Sequence, residues 1–282
     1  TISIERTGEV FFGVSVSGGT DENGQELPVI YQPIYETQGL PDTVYEIRAA
    51  EDVVTPDGTL RYSKGELVDT VTTDEMGFAE SKELYLGKYE VKEVKAGYGM
   101  VLSDEVHTVE LIYAGQNVAV TETATSFVNE RQKVEVSLEK ALETSELFGV
   151  GNNDEIKNIS FGLFADEELV SASGTSIPKD GLIEIITLDE NGKATVKTDL
   201  PLGSYYVKEL ATDEHYQLSS EKYPVVFEYA GQETATVAIA VNNGEPMENK
   251  LIYGSVSGKK VDENGEGLGG ALIGLFKSDD VE

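Results

Sequence analysis

The sequence predicts an all-β fold of tandem β-sandwiches, and three observations predict it. First, apolar residues recur with a period of two: Val134, Val136 and Leu138 alternate with Glu135, Ser137 and Glu139, and Tyr205 and Val207 with Tyr206 and Lys208. That alternation marks strands with one buried face. Second, turn chemistry falls between such runs, as Pro56-Asp57-Gly58 and as Asp-Glu-Asn-Gly beginning at Asp21, Asp189 and Asp262. Asp and Asn side chains bond nearby backbone in such turns, and Gly takes a positive φ. A calcium loop would need a bidentate Glu at a fixed later position, which is missing here. Third, a domain-sized motif recurs, whereas long helical periodicity is absent.

The recurrence sets the order of the units. Leu84-Tyr-Leu-Gly-Lys-Tyr-Glu-Val-Lys-Glu93 returns as Leu200-Pro-Leu-Gly-Ser-Tyr-Tyr-Val-Lys-Glu209, a spacing of 116 residues from 84 to 200. Tyr113-Ala-Gly-Gln116 returns as Tyr229-Ala-Gly-Gln232, and Val44-Tyr-Glu-Ile-Arg-Ala49 is echoed by Ser160-Phe-Gly-Leu-Phe-Ala165, each at the same spacing. Ala271-Leu-Ile-Gly-Leu-Phe276 starts the pattern a third time. The expectation is a first sandwich over 1–130, a second over 131–250, and the incomplete start of a third over 251–282, within a longer parent protein. The first unit carries a long insertion from Gly8 to Asp42, expected as an extra hairpin or packed loop.

Composition excludes several functions. Against 21 basic residues stand 52 acidic ones, a net charge of −31. Such a field repels nucleic acid and anionic membrane surfaces. There is no cysteine, so disulfides, thiol nucleophiles and Cys-bound metals are out. No apolar run reaches the length of a membrane span, and no phosphate loop, zinc motif or nucleophile elbow occurs. No cofactor and no metal are expected. His107 and His215 stand apart from any Ser–acid or ligand arrangement and read as surface or satisfied residues.

Chemistry is expected where alternation buries charge. The inward face of the second unit's first strand runs Val134, Val136, Leu138 and then Lys140, and a later strand runs Tyr205, Val207 and then Glu209. Burial pushes a lysine and a glutamic acid toward their neutral forms. A neutral amine is a nucleophile, and a neutral carboxyl can donate a proton or a hydrogen bond to an amide oxygen, so that a nearby Asn side chain can be attacked with release of ammonia. Asn249 stands where the last strand of the unit should end. Asn243 is a rival acceptor on the same face as Ile239 and Val241, although Asn242-Asn243-Gly244 reads as a turn. The bland alternative is a buried Lys–Glu ion pair beside a hydrogen-bonded Asn.

A lysine on the first strand, the Leu-x-Leu-Gly-x-Tyr-x-Val-x-Glu strand, a closing Asn and a restart as Gly254-Ser-Val-Ser-Gly-Lys-Lys260 together resemble Cna B-type or SpaA-type (prealbumin-like, immunoglobulin-like) repeats of Gram-positive surface adhesins and pilins. The resemblance runs over roughly residues 1 to 282. It implies an autocatalytic isopeptide bond between Lys140 and Asn249, promoted by Glu209. It also implies an extracellular stalk or spacer, attached to the cell wall through parts outside this chain, not an enzyme, whose partners are neighbouring repeats of the same protein. The alternative is an adhesin module in which the first-unit insertion, with Tyr31 and Tyr35, binds a host glycan or extracellular-matrix protein.

The first unit departs from the pattern. Ile2, Ile4 and Arg6 occupy the inward face where a lysine is expected, and a guanidinium remains protonated. Glu93 and Asn129 are present without an amine, so Arg6 is expected to pair with Glu93 in a degenerate site. Lys260 of the incomplete third unit has no matching Glu or Asn.

Overall fold

The computed structural model describes residues 1–276; residues 277–282 of the expected third unit lie outside the described residues. Among the described residues there is no α-helix, only strands and two short 3-10 turns, and no helix long and apolar enough to cross a membrane.

Two tandem β-sandwiches are built to one plan. In the first, a sheet of Leu67–Thr72, Val44–Ala49, Gly87–Lys95 and Val106–Leu111 faces a second sheet centred on the first strand, Ile2–Thr20. That strand pairs in parallel with the closing strand Thr123–Asn129 and antiparallel with Glu26–Gly39 and Phe78–Glu80. In the second, Leu182–Thr187, Ser160–Ala165, Gly203–Ala211 and Lys222–Phe227 form one sheet. The other centres on Lys133–Leu142, which pairs in parallel with Thr236–Ala240 and then with Met247–Asn249.

The alternation explains both cores. Ile2, Ile4, Tyr45, Ile47, Tyr89, Val91, Leu111 and Phe127 fill the first, and Val136, Leu138, Phe161, Leu163, Tyr205, Val207, Val225 and Phe227 the second. Each large apolar side chain withdrawn from water contributes about 1.5–3 kcal/mol. Two of the buried tyrosines keep their polar ends satisfied: Tyr89 donates to the Tyr85 carbonyl and Tyr205 to the Pro201 carbonyl, both at 2.6 Å. The Asp-Glu-Asn-Gly segments are turns in which the aspartate does the closing. Asp21, Asp189 and Asp262 each accept, through Oδ1, the backbone N–H groups two and four residues on, at 2.8–2.9 Å.

The insertion in the first unit is a two-stranded arm. The first strand is 19 residues long; its start is core, and from Ser15 onward it is exposed and held by Glu26–Gly39. The arm reaches across to the second unit. Phe11, Val14 and Tyr31 pack on the second core, and the amides of Ala172 and Ser173 donate to the carbonyls of Phe11 and Phe12 at 2.9 Å. Between the units, the Arg131 guanidinium lies 3.7 Å from the Tyr35 ring centroid, pairs with Asp199, and approaches Glu9 at 3.6 Å. Tyr35 itself donates to the Asp199 carbonyl at 3.0 Å. After Leu251, which is buried, Ile252 to Phe276 lie almost wholly exposed.

Candidate functional site

Three strands bring Lys140, Glu209 and Asn249 together at the end of the second sandwich. Lys140 sits in the central strand opposite Met247, so Asn249, two residues on, shares its face. Glu209 enters from the opposing sheet, in register with Phe161. The side chains of Lys140 and Glu209 are 1% and 0% exposed.

The contacts form a closed set. Lys140 Nζ donates to Asn249 Oδ1 at 2.6 Å and lies 3.1 Å from Glu209 Oε1. Asn249 Nδ2 donates to the two Glu209 oxygens at 2.8 and 3.0 Å and to the Thr212 hydroxyl at 2.9 Å. Glu209 Oε2 also accepts the Ser219 amide at 2.8 Å. Burial pulls the Lys140 pKa down from the ordinary lysine range, against the opposing pull of Glu209. The geometry therefore sets an amine against a carboxamide and places one carboxyl oxygen in reach of both the amine and the amide nitrogen.

The first sandwich repeats the arrangement with a guanidinium. Arg6 Nη2 lies 2.8 Å from Glu93 Oε2, with both side chains fully buried. Asn129 Nδ2 donates to Glu93 Oε1 at 3.0 Å and to the Val101 carbonyl at 2.7 Å. The Arg6–Glu93 contact is close but off the hydrogen-bond line, since neither Nη2 nor Oε2 has an aligned partner. Burial pushes the Glu93 carboxyl up to about 7, outweighing the Arg6 charge and the Ser103 amide that act the other way.

The remaining candidates lie elsewhere. Asn243 is an exposed residue at φ 55° in the turn Val241–Gly244. His107 stacks on Phe127 at 4.0 Å with Nδ1 2.6 Å from Thr125 Oγ1, and His215, half exposed, has Nδ1 2.6 Å from Asp213 Oδ1. Lys260 is exposed. Two contributors escaped the sequence reading. Thr212 lies beyond the alternating run that turns Glu209 inward, so no pattern marked it. The Ser219 amide was within reach of the repeat, because Leu102-Ser103 recurs as Leu218-Ser219 at the same 116-residue spacing.

A family model described as SpaA, prealbumin-like fold domain, matches the chain twice, over 35–126 and 148–243. Each matched stretch contains its glutamate, Glu93 or Glu209, while Arg6, Asn129, Lys140 and Asn249 fall outside both. Among solved structures, the chain is similar to the Bacillus anthracis TIE protein, at 17% identity and a TM-score of 0.47, over 85% of this chain and 41% of that one. It is similar also to a Streptococcal ancillary pilin, at 17% identity and a TM-score of 0.27, over 89% and 62% of the respective chains. The minor pilin of Streptococcus agalactiae gives 17% identity and a TM-score of 0.30, over 92% and 99%. The chain thus spans less than two thirds of the length of the first two. Among curated proteins no sequence matches it.

Proposed function

The chain belongs to the SpaA prealbumin-like fold domain family, and from that premise we propose that it is a structural stalk segment of a Gram-positive cell-surface pilin or adhesin, stapled in its second unit by a self-formed Lys140–Asn249 amide. The observation that carries the staple is the single carboxyl oxygen, Glu209 Oε1, lying 3.1 Å from the Lys140 amine and 2.8 Å from the Asn249 amide nitrogen.

The chemistry follows from that placement. Attack needs Lys140 as the free amine, the form that its burial favours, and a proton carrier beside it, the place that Glu209 fills. The amine nitrogen attacks Asn249 Cγ, while Glu209 holds the leaving Nδ2 through the two hydrogen bonds that it accepts. Glu209 then relays a proton from the attacking nitrogen to Nδ2. The new Nζ–Cγ bond forms, the Cγ–Nδ2 bond breaks, and ammonia leaves. The fold supplies the proximity that free side chains lack. The chain acts only on itself, so this role needs no external substrate.

The location that goes with this role is extracellular, with cell-wall attachment through other parts of the parent protein. The alternative of a glycan- or matrix-binding insertion loses its aromatic surface, because Tyr31 packs on the second core and Tyr35 lies under Arg131. Intact mass spectrometry of the purified chain tests the staple. The expected mass is that of the sequence less one ammonia, returning to the full value in Lys140→Ala, Asn249→Ala and Glu209→Gln. An unmodified wild-type mass would leave only a buried ion pair, and complete cross-linking in Glu209→Gln would remove Glu209 from the chemistry.

A further inference from the structure

We propose that the first unit is a latent isopeptide site, in which Glu93 and Asn129 are set to form the same cross-link and the guanidinium of Arg6 is what prevents it. The inference rests on the reading of the second unit and extends it to a place where no bond can form in the natural sequence.

The case is one of register. Arg6 lies opposite Phe127 in a parallel pair with Asn129 two residues on; Lys140 lies opposite Met247 with Asn249 two residues on. Glu93 stands opposite Tyr45 as Glu209 stands opposite Phe161. In each unit the asparagine Nδ2 already donates to its glutamate Oε1, at 3.0 and 2.8 Å. What differs is the other end of the carboxamide. Asn249 Oδ1 takes the lysine amine, whereas buried Asn129 Oδ1 has no hydrogen-bond partner.

Two further positions differ, and neither removes the chemistry. Ala96 stands in the repeat where the second unit has Thr212, yet the Val101 carbonyl holds the Asn129 Nδ2 at 2.7 Å. Tyr45 replaces Phe161, and its buried hydroxyl lies beside the Arg6 guanidinium and favours its charged form. That phenol would favour the charged form of an amine there too, so its removal should help. With Arg6→Lys, the introduced Nζ attacks Asn129 Cγ, and Glu93 passes a proton from Nζ to Nδ2. One C–N bond forms, one breaks, and one ammonia leaves.

The experiment uses the full chain in a Lys140→Ala background, so that any ammonia lost comes from the first unit. Arg6→Lys and Arg6→Lys/Tyr45→Phe are measured by intact mass and by peptide mapping, with circular dichroism to follow folding. The expected result is loss of one ammonia, with a cross-linked peptide joining position 6 to Asn129, faster in the double variant and absent when Glu93→Gln is added. A folded double variant at its unmodified mass overturns the proposal, as does cross-linking that persists with Glu93→Gln. Failure of both lysine variants to fold also overturns it, because the site must accept a lysine. If the otherwise natural chain loses ammonia and these variants do not, this inference alone falls. If neither loses ammonia, the reading of the second unit falls with it.

Discussion

Pulling on the two ends of the chain should separate its units by their covalent status. In each sandwich the first and last strands are adjacent and parallel, so tension enters at the start of one and leaves at the end of the other, shearing the pair. With Lys140 joined to Asn249, tension runs from Lys133 up the strand to Lys140, across the amide, and out through Lys250. The 109-residue span between the bonded residues is then shielded. At about 3.3–3.6 Å per extended residue it holds about 360–390 Å of chain. The perturbation is Lys140→Ala, with Glu209→Gln as a second route to the unbonded state, and the assay is single-molecule force spectroscopy of the full chain between terminal handles. The wild type should show one unfolding event, from the first unit. Each variant should add a second, lengthening the trace by about 360–390 Å. Two events of full length in the wild type, or identical traces in all three chains, would refute the argument. By the loop-closure relation, the same link should disfavour the unfolded second unit by about 4–5 kcal/mol.

Three other outcomes follow from the geometry. Arg6→Ala leaves Glu93 buried without its cation and should cost the first unit about 3–5 kcal/mol, while Arg6→Met/Glu93→Gln, which removes both charges, should recover most of that loss in urea unfolding. The Glu93 carboxyl, pushed up to about 7 in the fold, titrates near 4.3 when unfolded. The folded state therefore binds this proton more tightly. Its contribution is full below about pH 4.3 and is lost as the pH rises through about 7. First-unit stability should thus fall between about pH 5 and pH 8 relative to Glu93→Gln, by an amount on the order of 3 kcal/mol, and a pH-independent difference would contradict this. Arg131→Ala removes the contact with Tyr35, Asp199 and Glu9 at once. It should weaken the joint between the units by about 2 kcal/mol and broaden the inter-unit distance distribution measured by small-angle scattering or spin labels; unchanged distributions would show that the apolar arm suffices.

The strands and the inward-facing charges were legible because a period of two allows one answer: once Val136 and Leu138 face the core, Lys140 must follow, and Val207 commits Glu209 in the same way. Asn249 was legible only by its place before the next repeat, since Met247 and Asn249 make a three-residue strand too short to show a pattern. The insertion could be seen but not its destination. Phe11, Val14 and Tyr31 have the composition of any half-buried strand, and nothing in such a run says which of two cores it will cover. Arg131 was hidden for a related reason. It reads as a linker charge, yet it is 7% exposed because the arm closes over it. Contacts between units depend on how two folded bodies meet, and no local period encodes that.

The arm and the proposed staple bear on each other through the path of the load. In the second unit the arm grips Ala172, Ser173 and Asp199, all of which lie between Lys140 and Asn249 and so inside the span that the proposed amide would shield. In the first unit the arm is a continuation of Ile2–Thr20, the strand that takes the load directly, with no covalent link across it. With the staple in place, one end of the brace would be anchored in structure that stays folded under tension, and the other in structure that yields. The arm should hold the two units in a fixed relation until the first unit opens, and then peel from its base outward. In Lys140→Ala the shielding is gone, so the grip can fail from either side. Covalent closure of the second unit, if formed as proposed, would thus decide where the joint between the two units breaks, without any residue of the joint taking part in the chemistry.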